Sequence, residues 1–179
     1  MSAPEIDIAT PDVQAATDVA RIAFRPHRAL PWLVLPQGLA MQVLIEAHAV
    51  QVPNTRPWFR GVVSQRGNLI PVFDLAEWAG LPPERAEREQ IASVNLGAQA
   101  SACALVCSES PTLTRASSAA DATSRHGAST MPEADAIAIP EALAPYISRI
   151  FESDLGRAHE FDILRWIAYA AAQVPASGR

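Results

Sequence analysis

The chain has 179 residues, 49% of them apolar, which suits one domain or two small packed subdomains around a buried core. Its net charge of −5 disfavours nucleic acid or an anionic membrane surface as the main partner. All 14 basic residues are arginine, which excludes the lysine-dependent mechanisms of P-loop ATPases, protein kinases and phosphoacceptor receiver domains.

The N-terminal segment is acidic and lacks the basic start and apolar core of a secretory signal, and no apolar run reaches the ~18 residues of a membrane span. We therefore expect a cytoplasmic protein that does not insert into the membrane. Residues 1–15 and 174–179 are predicted to be flexible tails around a domain at 16–173. Cys103 and Cys107 would lie on one face of a strand, about 13 Å apart, so they are interpreted as buried, unpaired thiols.

The first structured elements are predicted from short apolar runs. Residues 18–30 are compatible with a short helix or a first edge strand, and the pattern does not decide between them. The next runs are broken by Pro36, Gly38 and Pro53, which indicates strands rather than a helix. These strands are predicted near Trp32–Leu35, Ala40–Glu46 and Ala49–Val52.

A hairpin is predicted next, with strands at Trp58–Val63 and Leu69–Phe73 joined by residues 64–68. Gly67 tolerates positive φ and Asn68 is the next most tolerant residue, so the insert suits a tight turn. Pro71 lacks an N–H and is expected at an edge or a bulge. Asp74 is expected to cap the short helix "LAEWAG", which Gly80 and the following prolines end.

The second half repeats the order of strand, hairpin and short helix. We predict two strands around Gly97, an exposed Ser/Ala/Thr-rich loop at 115–130, strands at Tyr146–Glu152 and His159–Leu164, and a closing helix. Short strands with few helices predict a small β-barrel or sandwich. The recurrence suggests two barrel-like subdomains in series, at about 16–88 and 89–160, followed by the helix at 162–173.

No arrangement of side chains predicts catalysis, a metal site or a cofactor. The four histidines share no metal-ligand spacing, no serine occupies a nucleophile elbow, and the acidic residues at 84–89 lie in a charged connector. Arg66 has two interpretations that the residues leave open. It is either a solvated turn residue or a planar donor that anchors carbonyls or a carboxylate on a partner helix.

The stretch "RGVVSQRGNLIPVFDLAEWAGLP" resembles the signature of the CheW-like adaptor domain of bacterial chemotaxis and twitching systems. The family pattern is G-x-x-x-x-R-G-x-x-x-P-V-x-D-L with a following G-L-P. It is matched by Gly61, Arg66, Gly67, Pro71, Val72, Asp74, Leu75, Gly80, Leu81 and Pro82. Looser similarity extends over about residues 30–172, and "IPEALAPYISRIFES" is closer to PilI-type members, which serve type IV pilus signalling.

The resemblance implies a mainly β fold of two small five-stranded SH3-like barrels on a shared core. It also implies a non-enzymatic scaffold, without cofactor, that links the cytoplasmic tip of methyl-accepting chemoreceptors to the regulatory domain of a CheA-type histidine kinase. Such a scaffold would be recruited to membrane-associated receptor arrays.

In this family the arginine of the R-G turn lies by the receptor groove. That role transfers to Arg66, with Gly67 and Asn68 beside it. Two positions on the preceding strand, usually apolar and acidic, transfer to Ala40 and Gln42, while Gly61, Pro71, Asp74 and Gly80 belong to the structural motif.

Two positions depart from the family pattern. Gln42 lacks the usual acid, and Arg165 replaces an aspartate that many members carry. These departures motivate an alternative, in which the fold serves as an interaction module for another protein. A small β-barrel enzyme or ligand carrier is a further alternative, which a deep polar pocket would support.

Overall fold

The computed structural model describes residues 19–84, 90–97, 102–118 and 137–175. Within these ranges the chain forms β-strands with two short α-helices. The strands are β1 (Val19–Arg25), β2 (Trp32–Val34), β3 (Ala40–Leu44), β4 (Phe59–Gln65), β5 (Asn68–Phe73), β6 (Gln90–Asn95), β7 (Cys103–Cys107), β8 (Glu109–Ser118), β9 (Ile147–Ser153) and β10 (Gly156–Phe161). The helices are α1 (Leu75–Trp78) and α2 (Ile163–Ala171), and a 3₁₀ turn at Ala144–Tyr146 precedes β9.

The strands form two five-stranded units, as the mainly β prediction requires. One is a closed barrel in the order β1-β2-β10-β9-β8, and the other is a sheet in the order β3-β6-β7-β5-β4. A bridge between Val50 and Val62 extends the sheet beyond β4. The prediction of a mainly β fold with two small five-stranded units is therefore confirmed, although of the two barrels predicted only the first closes among the described residues.

The two units are not consecutive in sequence. The barrel takes β1 and β2 from the start of the chain and β8, β9 and β10 from its end, whereas β3–β7 form the sheet between them. A boundary between residues 88 and 89 therefore does not separate the units, because it cuts through the sheet. The physical reason is strand pairing: β2 finds its partner in β10, in parallel, and not in a neighbour along the chain.

An aromatic cluster at the junction of the units joins them. Trp166 of α2 is fully buried, with ring centroids 5.3 Å from Phe73 of the sheet and 5.9 Å from Phe161 of the barrel. Trp78 of α1 lies 5.8 Å from the same indole. Edge-to-face contacts of this kind add stability beyond the area they bury. The apolar stripe predicted for the closing helix is thus the contact that holds barrel and sheet together.

Several predicted elements have different bounds. Residues 49–52 form only the isolated bridge at Val50, because the chain turns at Glu46, where φ is +55°. The predicted 115–130 loop begins later, since β8 pairs with β1 and β9 as far as Ser118. Residues 119–130 lie outside the described ranges, as do residues 1–15 and 176–179 of the predicted tails.

Other predictions are settled by pairing and burial. Residues 19–25, left open between helix and strand, form β1, and the predicted strand at 159–164 is displaced to β10. Cys103 and Cys107 are buried and unpaired, as expected. Burial raises the pKa of each thiol to about 12, with a further contribution from Asp74 at Cys107.

Candidate partner-binding groove

The hairpin between β4 and β5 ends in a two-residue turn. Gln65 pairs with Asn68, and the two residues between them both have positive φ, +52° at Arg66 and +83° at Gly67. This is the pattern of the type I′ turn, whose twist matches the strands on either side. The predicted five-residue insert is therefore too long, and Arg66 rather than Asn68 takes the left-handed conformation. The backbone that carries the Arg66 side chain is thus held in place by the paired strands on both sides of the turn.

A concave surface lies beside this turn. It has a volume of about 380 Å³ and brings together residues of β3, β5, β6 and the turn. We call it the partner groove, and it is lined by Ala40, Met41, Gln42, Gln65, Arg66, Asn68, Leu69, Ile70, Ser93, Asn95 and Ala102. Four of the five residues proposed from the sequence are among them. Gly67 is in the turn but does not line the groove.

The inner wall of the groove is held by a polar chain that the sequence did not reveal. The Gln65 side-chain amide donates to Oγ of buried Ser93 at 2.9 Å, and that hydroxyl lies 3.4 Å from the backbone carbonyl of Gln42. These contacts tie β4 to β6 and β6 to β3. The side chains come from distant parts of the sequence, so only the strand order discloses their proximity.

The groove is lined by polar and apolar side chains in about equal number, and it carries one kind of charge. Among its described lining residues Arg66 is the one ionised side chain, and it is exposed. In the described part of the chain no carboxylate lies within ion-pairing distance of it. Leu69, beside it, is 72% exposed. A cation next to exposed apolar surface suits a partner segment that combines a carboxylate or carbonyls with apolar side chains.

Gly61 holds the hairpin against the segment that follows β3. Its φ is +117°, and a Cβ at this position would lie 2.0 Å from the Val50 carbonyl oxygen. The close approach permits the two backbone hydrogen bonds between Val50 and Val62, of 2.8 and 3.0 Å. Glycine is therefore required here for lack of space as well as for conformation.

Pro71 lies at a position of β5 where no hydrogen bond of the hairpin requires a backbone N–H. The Val62 backbone N–H and C=O both point to Val50, so the Val62–Pro71 pair makes no hydrogen bond within the hairpin and the Pro71 nitrogen faces β7. Pairing with β7 starts one residue later, at Val72. The proline therefore marks the end of the β5–β7 ladder, although β5 itself is not an edge strand.

The helix after the hairpin has the predicted caps. The carboxylate of Asp74 accepts from the Glu77 backbone N–H at 2.9 Å. At the other end Gly80, with φ of +81°, donates to the Glu77 carbonyl while Leu81 donates to that of Ala76. These two bonds form a Schellman motif. The motif glycines and aspartate thus fix the hairpin and helix as one rigid unit.

Residues that could hold a metal do not come together: the described part of the chain has no group of three or more His, Cys, Asp or Glu in reach of one ion. Within the same ranges, no helix is long and apolar enough to cross a membrane.

The family model of the CheW-like domain matches residues 39–119, which include the whole five-stranded sheet and the partner groove. This stretch of the chain is therefore similar to a CheW-like domain. A segment of 59 residues is 37% identical to protein PilI of Pseudomonas aeruginosa and covers 32% of this chain and 33% of that protein. The match therefore spans about a third of the curated relative.

The fold is also similar to a solved structure. The crystal structure of scaffolding protein TtCheW from Thermoanaerobacter tengcongensis superposes with a TM-score of 0.52, at 16% identity, over 79% of this chain and 87% of that one. This likeness covers more of the chain than the 39–119 match does, and at this identity it is a likeness of fold.

Arg165, one of the two departures from the family pattern, has a local role in this fold. Its guanidinium donates to the Pro145 carbonyl at 3.0 Å and lies 5.9 Å from the Tyr146 ring. It therefore fastens α2 to the 3₁₀ turn before β9.

Proposed function

We propose that this chain is a non-enzymatic adaptor of a bacterial chemosensory system, of the PilI type that serves type IV pilus motility. In this role it couples the cytoplasmic tip of a chemoreceptor to the regulatory domain of a CheA-type histidine kinase. The observation that carries the proposal is the partner groove: the R-G turn of the CheW-like motif presents Arg66 on its rim, beside Ala40 and Gln42 of β3.

The geometry of the groove favours a helical partner segment. The β4–β5 hairpin and β3 provide two rigid borders, and the exposed Leu69 with the partly buried Met41 provide apolar surface between them. An amphipathic receptor tip would place its apolar residues there, while Arg66 donates to a carboxylate or to backbone carbonyls and so fixes the register.

Gln42 makes Arg66 available. Both residues line the groove, but the neutral amide of Gln42 leaves the guanidinium without an acidic neighbour on β3. An acid at position 42 would compete with the partner's carboxylate for the same cation. The proposal therefore predicts that Gln42→Glu weakens an acidic receptor tip, whereas Gln42→Ala has a smaller effect.

Contact with the kinase would use a separate surface, so that one adaptor binds receptor and kinase together. The repeated use of one fold in adaptor and kinase regulatory domain, which the family resemblance implies, makes a barrel-to-barrel contact the expected form. Localisation then follows from the partners, since a chain that binds receptor tips would collect at membrane-associated arrays.

The test is titration of the purified protein with the cytoplasmic tip fragment of a chemoreceptor from the same genome. Arg66→Gln, which removes the charge and keeps most of the stem, should lower affinity by about 1–3 kcal/mol. The matched control is Arg115→Gln, another exposed arginine, which lies on β8 of the barrel. Equal affinity of wild type and Arg66→Gln, with both folded, contradicts the assignment of the groove.

A second experiment separates the adaptor from the alternatives. Affinity capture should recover both a chemoreceptor and a CheA-type kinase. Capture of a different protein through the same groove would instead support a CheW-like module with another partner, and recovery of neither partner argues against the coupling role.

A further inference from the structure

A second groove lies on the outer face of the closed barrel and shares no lining residue with the partner groove. Its volume is about 650 Å³. His159 of β10 and Ile150 of β9 face each other across the ladder and line it, while their neighbours Ala158 and Phe151 point into the barrel. We call it the barrel groove. Its apolar lining residues are Pro31, Trp32, Ile137, Ala138, Ile139, Ala144, Ile147, Ile150 and Leu155.

The charge of the barrel groove is positive. Arg25 and Arg157 line it, and no acidic residue does so among those described. Each arginine also has a carboxylate outside the groove, Glu109 at 3.0 Å from Arg25 and Glu152 at 3.4 Å from Arg157. A ligand carboxylate would therefore share each arginine with the carboxylate that already pairs with it, and apolar contact would supply most of the affinity.

A buried polar atom also indicates an incomplete surface. His159 is 8% exposed, and its Nδ1 is buried without a hydrogen-bond partner in the structure. Buried ring nitrogens of this kind are normally satisfied. Since this side chain lines the barrel groove, a segment bound there could complete it through a backbone group.

We propose that residues 5–8 of this chain, Glu-Ile-Asp-Ile, bind in the barrel groove. The 18 residues before β1 contain four carboxylates, at positions 5, 7, 12 and 18, and no basic side chain. In an extended backbone Ile6 and Ile8 point to one side and Glu5 and Asp7 to the other. The isoleucines would thus pack on the apolar wall while the carboxylates approach Arg157 and Arg25 at the rim.

The register of the barrel brings this segment within reach. Val19 pairs with Ala116, Ala116 with Ser153, and Ser153 with Gly156, which lines the groove. The start of β1 is therefore three strand spacings from the groove, about 14 Å along the sheet. The 11 residues from Ile8 to Val19 span up to about 36 Å when extended, which is ample.

The test is paramagnetic relaxation in the full chain. A spin label is attached at Ala3→Cys, next to the proposed segment. Cys103 and Cys107 are buried and should remain unlabelled. The methyl signals of Ile150 and Leu155 in the barrel groove should broaden strongly, whereas those of Ile45 and Leu69 on the sheet should not. Ile6→Asp/Ile8→Asp should remove the broadening of the groove methyls.

The matched control is Ala15→Asp/Ala16→Asp, which adds the same two charges to the same segment and should leave the broadening unchanged. A mixture of spin-labelled and isotope-labelled chains then tests the source of the segment. Broadening within the mixture would mean that a second copy supplies it, and would overturn the intramolecular proposal. Uniform or absent broadening in the singly labelled chain would overturn it as well.

Discussion

Gly61→Ala should destabilise the domain more than the other glycine-to-alanine change in this hairpin, Gly67→Ala. The added Cβ would lie 2.0 Å from the Val50 oxygen and 2.6 Å from its carbonyl carbon, and both are backbone atoms that a rotamer change cannot move. Relief requires loss of the two Val50–Val62 hydrogen bonds, at about 1 kcal/mol each, and an L-residue at this φ adds about 1–3 kcal/mol of strain.

The expected loss is therefore about 3–5 kcal/mol in the free energy of unfolding, measured by urea denaturation. For a chain of this size it corresponds to a fall in Tm of about 6–20 °C. Gly67→Ala is the control, because its φ is +83° but no atom lies within 4 Å of the added Cβ. It should lose only about 1–2 kcal/mol. Equal losses in the two variants would refute the argument from the close approach at Val50.

Three further predictions concern the groove, the helix cap and the thiols. Arg66→Asn should raise the free energy of unfolding by up to about 1 kcal/mol, because asparagine suits the first position of this turn better than arginine does. The same variant should bind the receptor tip more weakly, because it lacks the guanidinium. A variant that is both more stable and a tighter binder, or less stable and a weaker one, would contradict the assignment of turn geometry to the backbone and of binding to the charge. Asp74→Ala should lose about 1 kcal/mol of unfolding free energy and Asp74→Asn much less, since asparagine still accepts the cap bond. Burial raises the pKa of the Cys103 and Cys107 thiols to about 12 in the folded protein, above their ordinary value of 9.0. Above pH 9 the thiols of the unfolded chain therefore ionise while the buried ones stay neutral, which favours the unfolded state and lowers the free energy of unfolding as the pH rises. Urea unfolding from pH 9 to 11 should show a fall of up to about 1.4 kcal/mol per pH unit for each thiol, and Cys103→Ala/Cys107→Ala should reduce that slope.

Local chemistry predicted the local features of this fold. The Asp74 cap, the Gly80 stop and positive φ at Gly67 each depend on neighbouring residues, so a single sequence contains their causes. The two-residue turn was missed because it places a non-glycine residue, Arg66, in a left-handed conformation. The strain of that conformation is offset by the pairing of the strands on both sides of the turn.

Long-range pairing was the part that the sequence did not contain. Nothing in the run at Trp32–Val34 indicates a parallel partner more than a hundred residues away in β10, so a division into consecutive halves followed naturally and was wrong. The Gln65–Ser93 hydrogen bond in the groove has the same origin, because β6 and the hairpin are brought together by the order of the sheet. Ala40 and Gln42 were placed by family resemblance and Asn68 by its position in the predicted turn, and the structure brings all three into one concavity.

The interleaved topology has a consequence for how such proteins diversify. Every described residue that lines the partner groove lies between Ala40 and Ala102, inside a continuous stretch that leaves the barrel after β2 and returns to it at β8. We call this stretch, which carries β3–β7, the cassette, and the closed barrel into which it is inserted the host. On the function proposed above, recombination at its two junctions would exchange the partner groove in a single event, provided that Phe73 and Trp78 of the cassette still fit against Trp166 of the host. Chimaeras between relatives, joined near positions 37 and 108, would therefore inherit their ligand choice from the donor of the cassette.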